Sequence, residues 1–203
     1  EPPQEPLPYG RWADRLRDEL LPAFLALETT GDADELPAGG LGRPGEITWF
    51  PDRTWGGRTF VPATCMTDTG IELFGLVSFA PATADGEDPD HFTAVADWTT
   101  ETADANPDWT IDLCDEVIGG WRGDGGAVAA MTLVWGAPVR GADAYTATAE
   151  LGDLTVDRCN LIEGRFTLLA PDGYQGDTLE VVCWSGGQAE LARESLYAED
   201  DEA

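Results

Sequence analysis

Residues 109–135 read WTIDLCDEVIGGWRGDGGAVAAMTLVW, and this stretch decides the fold. Two segments rich in apolar residues, 109–118 and 127–135, flank the glycine-rich segment 119–126. Short apolar segments on either side of a glycine-rich turn are typical of two antiparallel strands. The stretch therefore predicts a long β-hairpin.

The same alternation of short apolar segments and turns continues on both sides of this hairpin. Turn residues separate the segments at short spacing, as Pro51-Asp52 and residues 68–70 do, which is typical of a β-sandwich. Residues 92–99 fit either a helix or a strand. The fold class predicted is mainly β, an Ig-like β-sandwich. The predicted strands outside the hairpin are 47–50, 58–63, 71–79, 145–151, 165–170, 179–184 and 190–196.

The N-terminal part departs from this β pattern. Residues 1–9 predict an extended arm, and residues 9–30 predict a helix, with a break or kink at Pro22. The leucines and Phe24 recur there at spacings of three and four, which places them on one helix face. Three regions follow, at 1–45 (arm, helix and loop), 46–125 (β-rich) and 126–203 (β-sandwich module), with 46–203 as a single domain in the alternative.

The charge of the chain restricts its partners. There are 39 carboxylates and 11 arginines, no lysine, and a formal net charge of −28, so the surface repels nucleic-acid phosphate. Hydrophobic residues make up 42%, which separates the chain from disordered acidic polymers. Its longest apolar runs are too short to cross a bilayer. The acidity has three explanations that stay open here: a high-salt habitat, mimicry of DNA, and the codon bias of a GC-rich genome.

Four cysteines, Cys65, Cys114, Cys159 and Cys183, lie far apart and share no CxxC spacing. With one histidine in the chain, a Cys/His zinc site is not expected. Two disulfides are one interpretation, Cys65 with Cys114 and Cys159 with Cys183 being the simplest of three connectivities. Four buried thiols in a cytosolic protein are the other. A start at Glu1 rather than Met suggests processing, which favours an extracytoplasmic location.

The last third contains the series VWGAPVRGADAYTATAELGD, EGRFTLLAPDGY and LEVVCWSGGQAELARESLY. It resembles a β-sandwich module found in extracytoplasmic parts of actinobacterial envelope proteins, over residues 127–197. The matching features are a strand ending in Gly136, the triplet 164–166 (Gly-Arg-Phe) and the segment 190–193 (Glu-Leu-Ala-Arg). The resemblance implies a sandwich architecture and a compartment in the cell envelope, and it implies no functional site.

Three short motifs have more economical structural interpretations. Residues 40–45, GLGRPG, match GxGxxG, but they follow a polar loop and precede a predicted strand, so we interpret them as a loop. Residues 68–70, DTG, match the aspartic-protease motif without a second copy, so we interpret them as a turn. Residues 122–124, RGD, fall at the predicted hairpin tip and shape the turn.

Acidic loop residues supply the only metal candidate. Asp85, Glu87, Asp88 and Asp90 lie in one loop, and Ca²⁺ prefers several oxygen ligands from a flexible loop. The cluster lacks EF-hand spacing, so it is a weak calcium candidate.

Catalytic residues and cofactors are not predicted. His91 is the one histidine, and it lies in a polar loop among acids, which favours a surface position. Paired carboxylates in a cleft lined by tryptophans could serve a hydrolase, but the sequence nominates no pair.

The function predicted is that of a non-enzymatic structural or interaction protein, an accessory subunit of a larger assembly in the cell envelope. Its partners would be proteins, with neither nucleic-acid binding nor membrane insertion. The alternatives are a structural component of a virus particle from a GC-rich or halophilic host, an acidic DNA-mimic inhibitor, and a carboxylate-dependent hydrolase.

Overall fold

The computed structural model describes residues 11–27, 40–81, 88–123, 126–139, 143–173 and 178–196. Within these ranges the chain has one α-helix and twelve β-strands in antiparallel sheets, so the prediction of a mainly β fold is confirmed. No helix in the same ranges is long and apolar enough to span a membrane. The predicted arm at residues 1–9 lies outside the described residues.

The chain divides into two compact units, residues 1–105 and 106–203. The boundary predicted from the sequence lies instead between residues 125 and 126, with 46–203 as a single domain in the alternative. That boundary falls in the turn of the predicted hairpin, whose two strands pair along their whole length and therefore belong to one unit.

The first unit contains one helix and one five-stranded sheet. Strands β1, β3, β4 and β5 pair in that order, and β2 also pairs with β3. Residues 92–99, which fit helix or strand on sequence, lie in β5, because they pair with β4 along nearly its whole length. The elements are α1 (Arg11–Leu25), β1 (Thr48–Trp49), β2 (Arg53–Trp55), β3 (Arg58–Met66), β4 (Glu72–Ala80) and β5 (Asp90–Thr99).

Helix α1 lies on one face of this sheet. Leu16, Leu20 and Phe24, spaced four apart, are buried and form a core with strands β3 and β4. Pro22 was expected to break or kink the helix. It does not break it, because α1 continues through Pro22 to Leu25. The anchored Phe24 explains why, since burying an aromatic ring recovers about 2–3 kcal/mol, close to the cost of an interior proline.

The second unit contains seven strands in two sheets. One sheet has the order β10-β7-β6 and the other the order β12-β11-β8-β9. The predicted hairpin is confirmed as β6–β7, and β6 runs further than expected, through Gly119 and Gly120. Strand β9 was not predicted. The elements are β6 (Ile111–Arg122), β7 (Val128–Pro138), β8 (Ala144–Leu151), β9 (Leu154–Asn160), β10 (Phe166–Asp172), β11 (Leu179–Ser185) and β12 (Glu190–Ser195).

Both sheets of the second unit contribute to one hydrophobic core. Val134, Phe166 and Leu168 come from the three-stranded sheet, and Leu179 and Val181 come from the four-stranded sheet. This is the packing expected of two sheets face to face. The Ig-like assignment stays a prediction, because β9 pairs with β8, whereas the fourth strand of a constant-type immunoglobulin domain joins the sheet of strands one, two and five.

Gly136 was expected at the end of a strand, but it lies inside β7, which ends at Pro138. It pairs with Leu113 on one side and Phe166 on the other. A Cβ atom at position 136 would collide with the backbone carbonyl of Asp112. Glycine is therefore required there by the close approach of β6, not by a turn.

The predicted disulfides are not formed in the described part of the chain. Cys159 on β9 and Cys183 on β11 both oppose Ala147 on β8, from its two sides. Two strand spacings separate their Cα atoms by about 10 Å, beyond the roughly 7 Å limit for a disulfide. Cys65 lies on β3 in the first unit, and Cys114 lies on β6 in the second.

Cys183 is also in an unreactive state. Burial, with a smaller contribution from neighbouring Cys159, raises the pKa of the Cys183 thiol to about 12. Burial likewise raises the pKa of Cys65. Since the thiolate is the nucleophile and the metal ligand, both residues act as small apolar groups of the core at neutral pH.

Candidate functional site

The calcium candidate is only partly described. Asp85 and Glu87 lie outside the described residues, Asp88 precedes β5, and Asp90 is the first residue of β5. The described residues contain no group of three or more His, Cys, Asp or Glu side chains placed to hold a metal ion. The calcium site therefore stays a prediction, because the structure describes only two of its four candidate ligands, Asp88 and Asp90.

His91 lies at an irregularity in the β4–β5 ladder, with a φ of 52°. Its side chain is 78% exposed, and its Nε2 atom lies 3.5 Å from Asp90 Oδ2. Its carbonyl oxygen accepts a hydrogen bond from Arg58 Nη2 at 2.8 Å. At this position the backbone carbonyl of His91 makes the contact with Arg58, while its imidazole faces solvent.

The hydroxyl group closest to this region is already engaged. Ser78 Oγ accepts a hydrogen bond from Arg58 Nη2 at 2.9 Å and lies 2.8 Å from Thr93 Oγ1. A nucleophilic serine needs a general base at hydrogen-bond distance. Ser78 on β4 instead contacts Arg58 of β3 and Thr93 of β5. Its hydroxyl group therefore links three strands.

The GxGxxG and DTG motifs contact each other. Asp68 Oδ1 accepts a hydrogen bond from Arg43 N at 2.7 Å, and Thr69 Oγ1 donates to Leu41 O at 2.8 Å. Pro44 and Thr67 form an isolated β-bridge. The side chains of the DTG turn thus hold the 40–45 loop by its backbone. Their positions agree with the loop and turn interpretations.

Gly42 is required by this contact. Its φ is +79°, and a Cβ atom there would lie 2.5 Å from both Asp68 Oδ1 and Thr69 Oγ1. Gly57, in the β2–β3 turn, has the same φ of +79°, but a Cβ atom there would meet no atom within 4 Å. The two glycines therefore share a backbone conformation that strains any other residue, and they differ in what a Cβ atom would contact.

We expect Gly42→Ala to destabilise the protein more than Gly57→Ala. Both substitutions incur the cost of a left-handed residue, about 1–2 kcal/mol, and only Gly42→Ala adds an overpacking cost of about 1–3 kcal/mol. Urea denaturation of both variants measures the difference. Equal losses of stability would show that the loop yields and that the contact between the two motifs is weak.

Among the described residues of the second unit, a polar network centres on Arg193 of β12. Its Nη1 donates to Glu150 at 3.1 Å and to Glu180 at 2.7 Å, and its Nη2 donates to Glu190 at 2.9 Å. The Glu150 side chain is 14% exposed and the Arg193 side chain 34%. One guanidinium thus joins carboxylates from β8, β11 and β12.

Two further hydrogen bonds extend this network. Trp184 Nε1 donates to Thr148 Oγ1 at 2.8 Å, and Thr148 Oγ1 donates to Glu150 Oε1 at 3.0 Å. The Arg193 hydrogen bond lowers the pKa of Glu190. Sugar hydrolysis needs a general acid whose pKa is raised by an apolar pocket. The network links Glu150 to Trp184 through Thr148, but its one shifted carboxyl, Glu190, has a pKa that is lowered and not raised.

Sequence reasoning named Glu190 and Arg193 only as part of the resemblance, and it missed Glu150 and Glu180. The segments containing these four residues are up to 43 positions apart, and only the strand register makes them neighbours: Glu150 opposes Glu180 directly across the sheet. The one signal of this network in the sequence was Arg193, which lies between Glu190 and Glu194 in a chain without lysine.

We expect Arg193→Gln to destabilise the protein by about 1–2 kcal/mol, since it removes charge-assisted bonds to three carboxylates at once. Arg17→Gln is the control, because Arg17 makes one exposed ion pair, with Asp14 at 3.4 Å. Its cost should stay below about 1 kcal/mol. Denaturant titration measures both. Similar losses of stability in the two variants would show that the Arg193 network does not stabilise the protein more than a single exposed ion pair.

This stabilisation should depend on pH. Because the folded-state pKa of Glu190 is lowered, its contribution is present above the ordinary value of 4.5 and is lost as pH falls through the folded-state pKa. The difference in stability between wild type and Arg193→Gln should therefore narrow below pH 4.5.

A groove of about 400 Å³ lies between α1 and the segment before β1. It brings Asp14 and Glu46 near Trp49, the residue types that a carboxylate-dependent hydrolase would use. The Asp14 side chain, however, is 75% exposed and paired with Arg17. A general acid in an apolar pocket has the opposite environment. The groove is lined by Ala13, Asp14, Arg17, Leu21, Pro44, Gly45, Glu46, Ile47 and Trp49.

Asp115 is a half-buried carboxylate on β6. Burial, and to a smaller extent the negative charge of Asp172, raises its pKa above the ordinary value of 3.8. Ionisation of Asp115 therefore costs more in the folded than in the unfolded chain. It weakens the fold at pH values above its raised pKa, and it has no such effect below 3.8, where the carboxyl is neutral in both states.

We expect Asp115→Asn to raise the melting temperature at pH 7, because the substitution removes this unfavourable charge. The gain should shrink as pH falls and disappear below about 3.8. Asp153→Asn, in the exposed turn after β8, is the control and should change little at either pH. Calorimetry at the two pH values tests this. A lower melting temperature for Asp115→Asn at pH 7 would contradict it.

Comparison of the chain with protein-family models, with curated proteins and with solved structures found no match. The resemblance of residues 127–197 to envelope modules therefore remains a prediction.

Proposed function

We propose that this chain is a non-enzymatic interaction protein, an accessory subunit of a larger assembly in the cell envelope. Nothing in the described residues indicates an enzymatic activity. Two sets of polar side chains in the described residues hold strands together, Ser78 through Arg58, and Glu150 and Glu180 through Arg193. We infer that the chain acts through contact with another protein.

One observation carries the proposal: no described strand pairs with the outer edge of β5, whereas single backbone N–H groups on β10 and just before β6 are each covered by a carboxylate. On β10, the backbone N–H of Leu169 donates to Asp157 Oδ2 of β9 at 2.8 Å. Just before β6, the backbone N–H of Thr110 donates a hydrogen bond to the Glu194 carboxylate of β12 at 2.5 Å. Proteins cover sheet edges in such ways to prevent unwanted pairing.

Strand β5 has one such cover along its length. The N–H of Trp98 donates to its neighbour Asp97 Oδ1 at 2.8 Å. Between His91 and Trp98 the described residues place no strand on its outer side. Thr93, Val95 and Asp97 are exposed. A strand edge of this kind binds a protein partner through main-chain hydrogen bonds, that is, by β-augmentation.

The location in the cell envelope is supported by the resemblance of residues 127–197, and the disulfide argument no longer supports it. The acidic surface favours a protein partner, because a net charge of −28 disfavours nucleic acid and anionic lipid.

The experiment is isolation of the tagged chain from its native host after mild crosslinking. We expect a complex of fixed stoichiometry, much larger than 21.7 kDa, in the envelope fraction. Val95→Lys, which places a charge on the β5 edge, should abolish it, and Val117→Lys, at an exposed valine of β6, should not. A wild-type chain recovered only at its own mass would overturn the proposal.

A further inference from the structure

The β5 edge is complementary to a second copy of itself, and we propose that two copies of this chain pair antiparallel through β5. The inference rests on the proposed function in taking β5 as the binding edge, and it names the partner.

The free backbone groups belong to alternate residues. In an antiparallel ladder, residues alternate between pairs that exchange hydrogen bonds and pairs whose N–H and C=O groups point away. Trp98 N donates to the Asp97 side chain, so Trp98 belongs to the outward-pointing set. Ala94 and Ala96, two and four residues earlier, belong to the same set. Their N–H and C=O groups point away from β4 and have no partner in the described residues.

These groups restrict how a second β5 can pair. Antiparallel strands form hydrogen bonds only where outward-pointing residues of both copies face each other. With a twofold axis at Val95, Ala94 of each copy faces Ala96 of the other, and the two can exchange both hydrogen bonds. Val95 then faces Val95 of the second copy in a non-hydrogen-bonded pair.

The side chains favour this register. Val95 is 43% exposed, and the twofold pair would cover its apolar surface. Thr93 would face Asp97 of the other copy, so no two like charges lie opposite each other. Phe92 would face Trp98 on the side of α1. Aromatic cross-strand pairs of this kind stabilise antiparallel sheets.

A shift of the register removes this complementarity. With the axis at Ala96, Val95 would face Asp97 of the other copy, an apolar group opposite a charge. With the axis at Asp97, the two carboxylates would face each other, and hydrogen-bonding and non-bonding residues would still be matched. The self-complementary arrangement is therefore the one centred on Val95.

The net charge sets the conditions for pairing. Each copy carries a formal charge of −28, so two copies repel each other over long distances at low salt. Within the contact, the segment from Phe92 to Ala96 carries no charge, and Arg15 lies over the Phe92 ring, 4.7 Å from its centroid. Salt screens the long-range repulsion and leaves the backbone hydrogen bonds in place. Pairing should therefore strengthen as salt is raised.

Sedimentation velocity of the purified full chain over a range of NaCl concentrations tests the proposal. We expect a monomer–dimer equilibrium whose dissociation constant falls at least about tenfold between roughly 0.05 M and 1 M NaCl. Val95→Lys should abolish the dimer, since two ammonium groups would meet at the twofold axis. Val117→Lys, the matched control at a 55% exposed valine, should dimerise like the wild type.

Crosslinking provides the second measurement. The Cα atoms of a non-hydrogen-bonded pair are about 4.5 Å apart, within disulfide range. Val95→Cys should therefore form a covalent dimer under a mild oxidant on a non-reducing gel, and Val117→Cys should not. The native cysteines are present in both variants, so the comparison controls for them.

The outcomes separate the two proposals. A monomer at high salt and high concentration, or a dimer that Val95→Lys leaves intact, would overturn self-pairing. If the chain isolated from its host still formed a complex sensitive to Val95→Lys, the proposed function would stand with a different partner. If the purified chain dimerised but no complex were recovered from its host, self-pairing through β5 would be supported. The proposal that the chain is a subunit of a larger assembly would be overturned.

Discussion

An excess of carboxylates over cations is the constraint on which the rest of this structure depends. Eleven arginines cannot neutralise 39 acids, so most acids need another role or must face water. At several places the chain uses carboxylates to accept hydrogen bonds from backbone N–H groups, which are charge-assisted and stronger than neutral ones. The pairs are Arg43 with Asp68, Trp98 with Asp97, Thr110 with Glu194 and Leu169 with Asp157.

The same scarcity of cations explains the Arg193 network. An isolated exposed ion pair contributes little, because the side chains lose entropy and water screens the charges. Arg193 instead binds three carboxylates from three strands, and one of them, Glu150, is largely buried. A single cation is thus shared among neighbours that would otherwise repel one another across the sheet.

Much of the fold could be predicted from the sequence, because its signals are local. The β6–β7 hairpin follows from two apolar segments around glycines, and the buried face of α1 follows from the spacing of Leu16, Leu20 and Phe24. Strand β9 was missed because it is an edge strand whose residues are mostly polar. The passage of α1 through Pro22 was missed because burial of Phe24 is a tertiary effect.

The candidate sites were harder to predict, because they depend on strand register. The Arg193 network and the separation of Cys159 from Cys183 arise from which residues oppose each other on β8, β9, β11 and β12. The contact between the two short motifs was equally invisible, although each motif was correctly interpreted as local structure. Composition indicated an acidic surface, but it could not indicate which strand edge has no neighbouring strand.

The uncovered edge of β5 has a consequence for the behaviour of this protein in acid. The isoelectric point lies near pH 4.1, so molecules that repel one another at neutral pH lose their net charge as the solution approaches that value. An exposed strand edge is a template for pairing with another chain, and charge repulsion opposes such pairing. Acidification would thus favour precipitation of the protein as associated sheets.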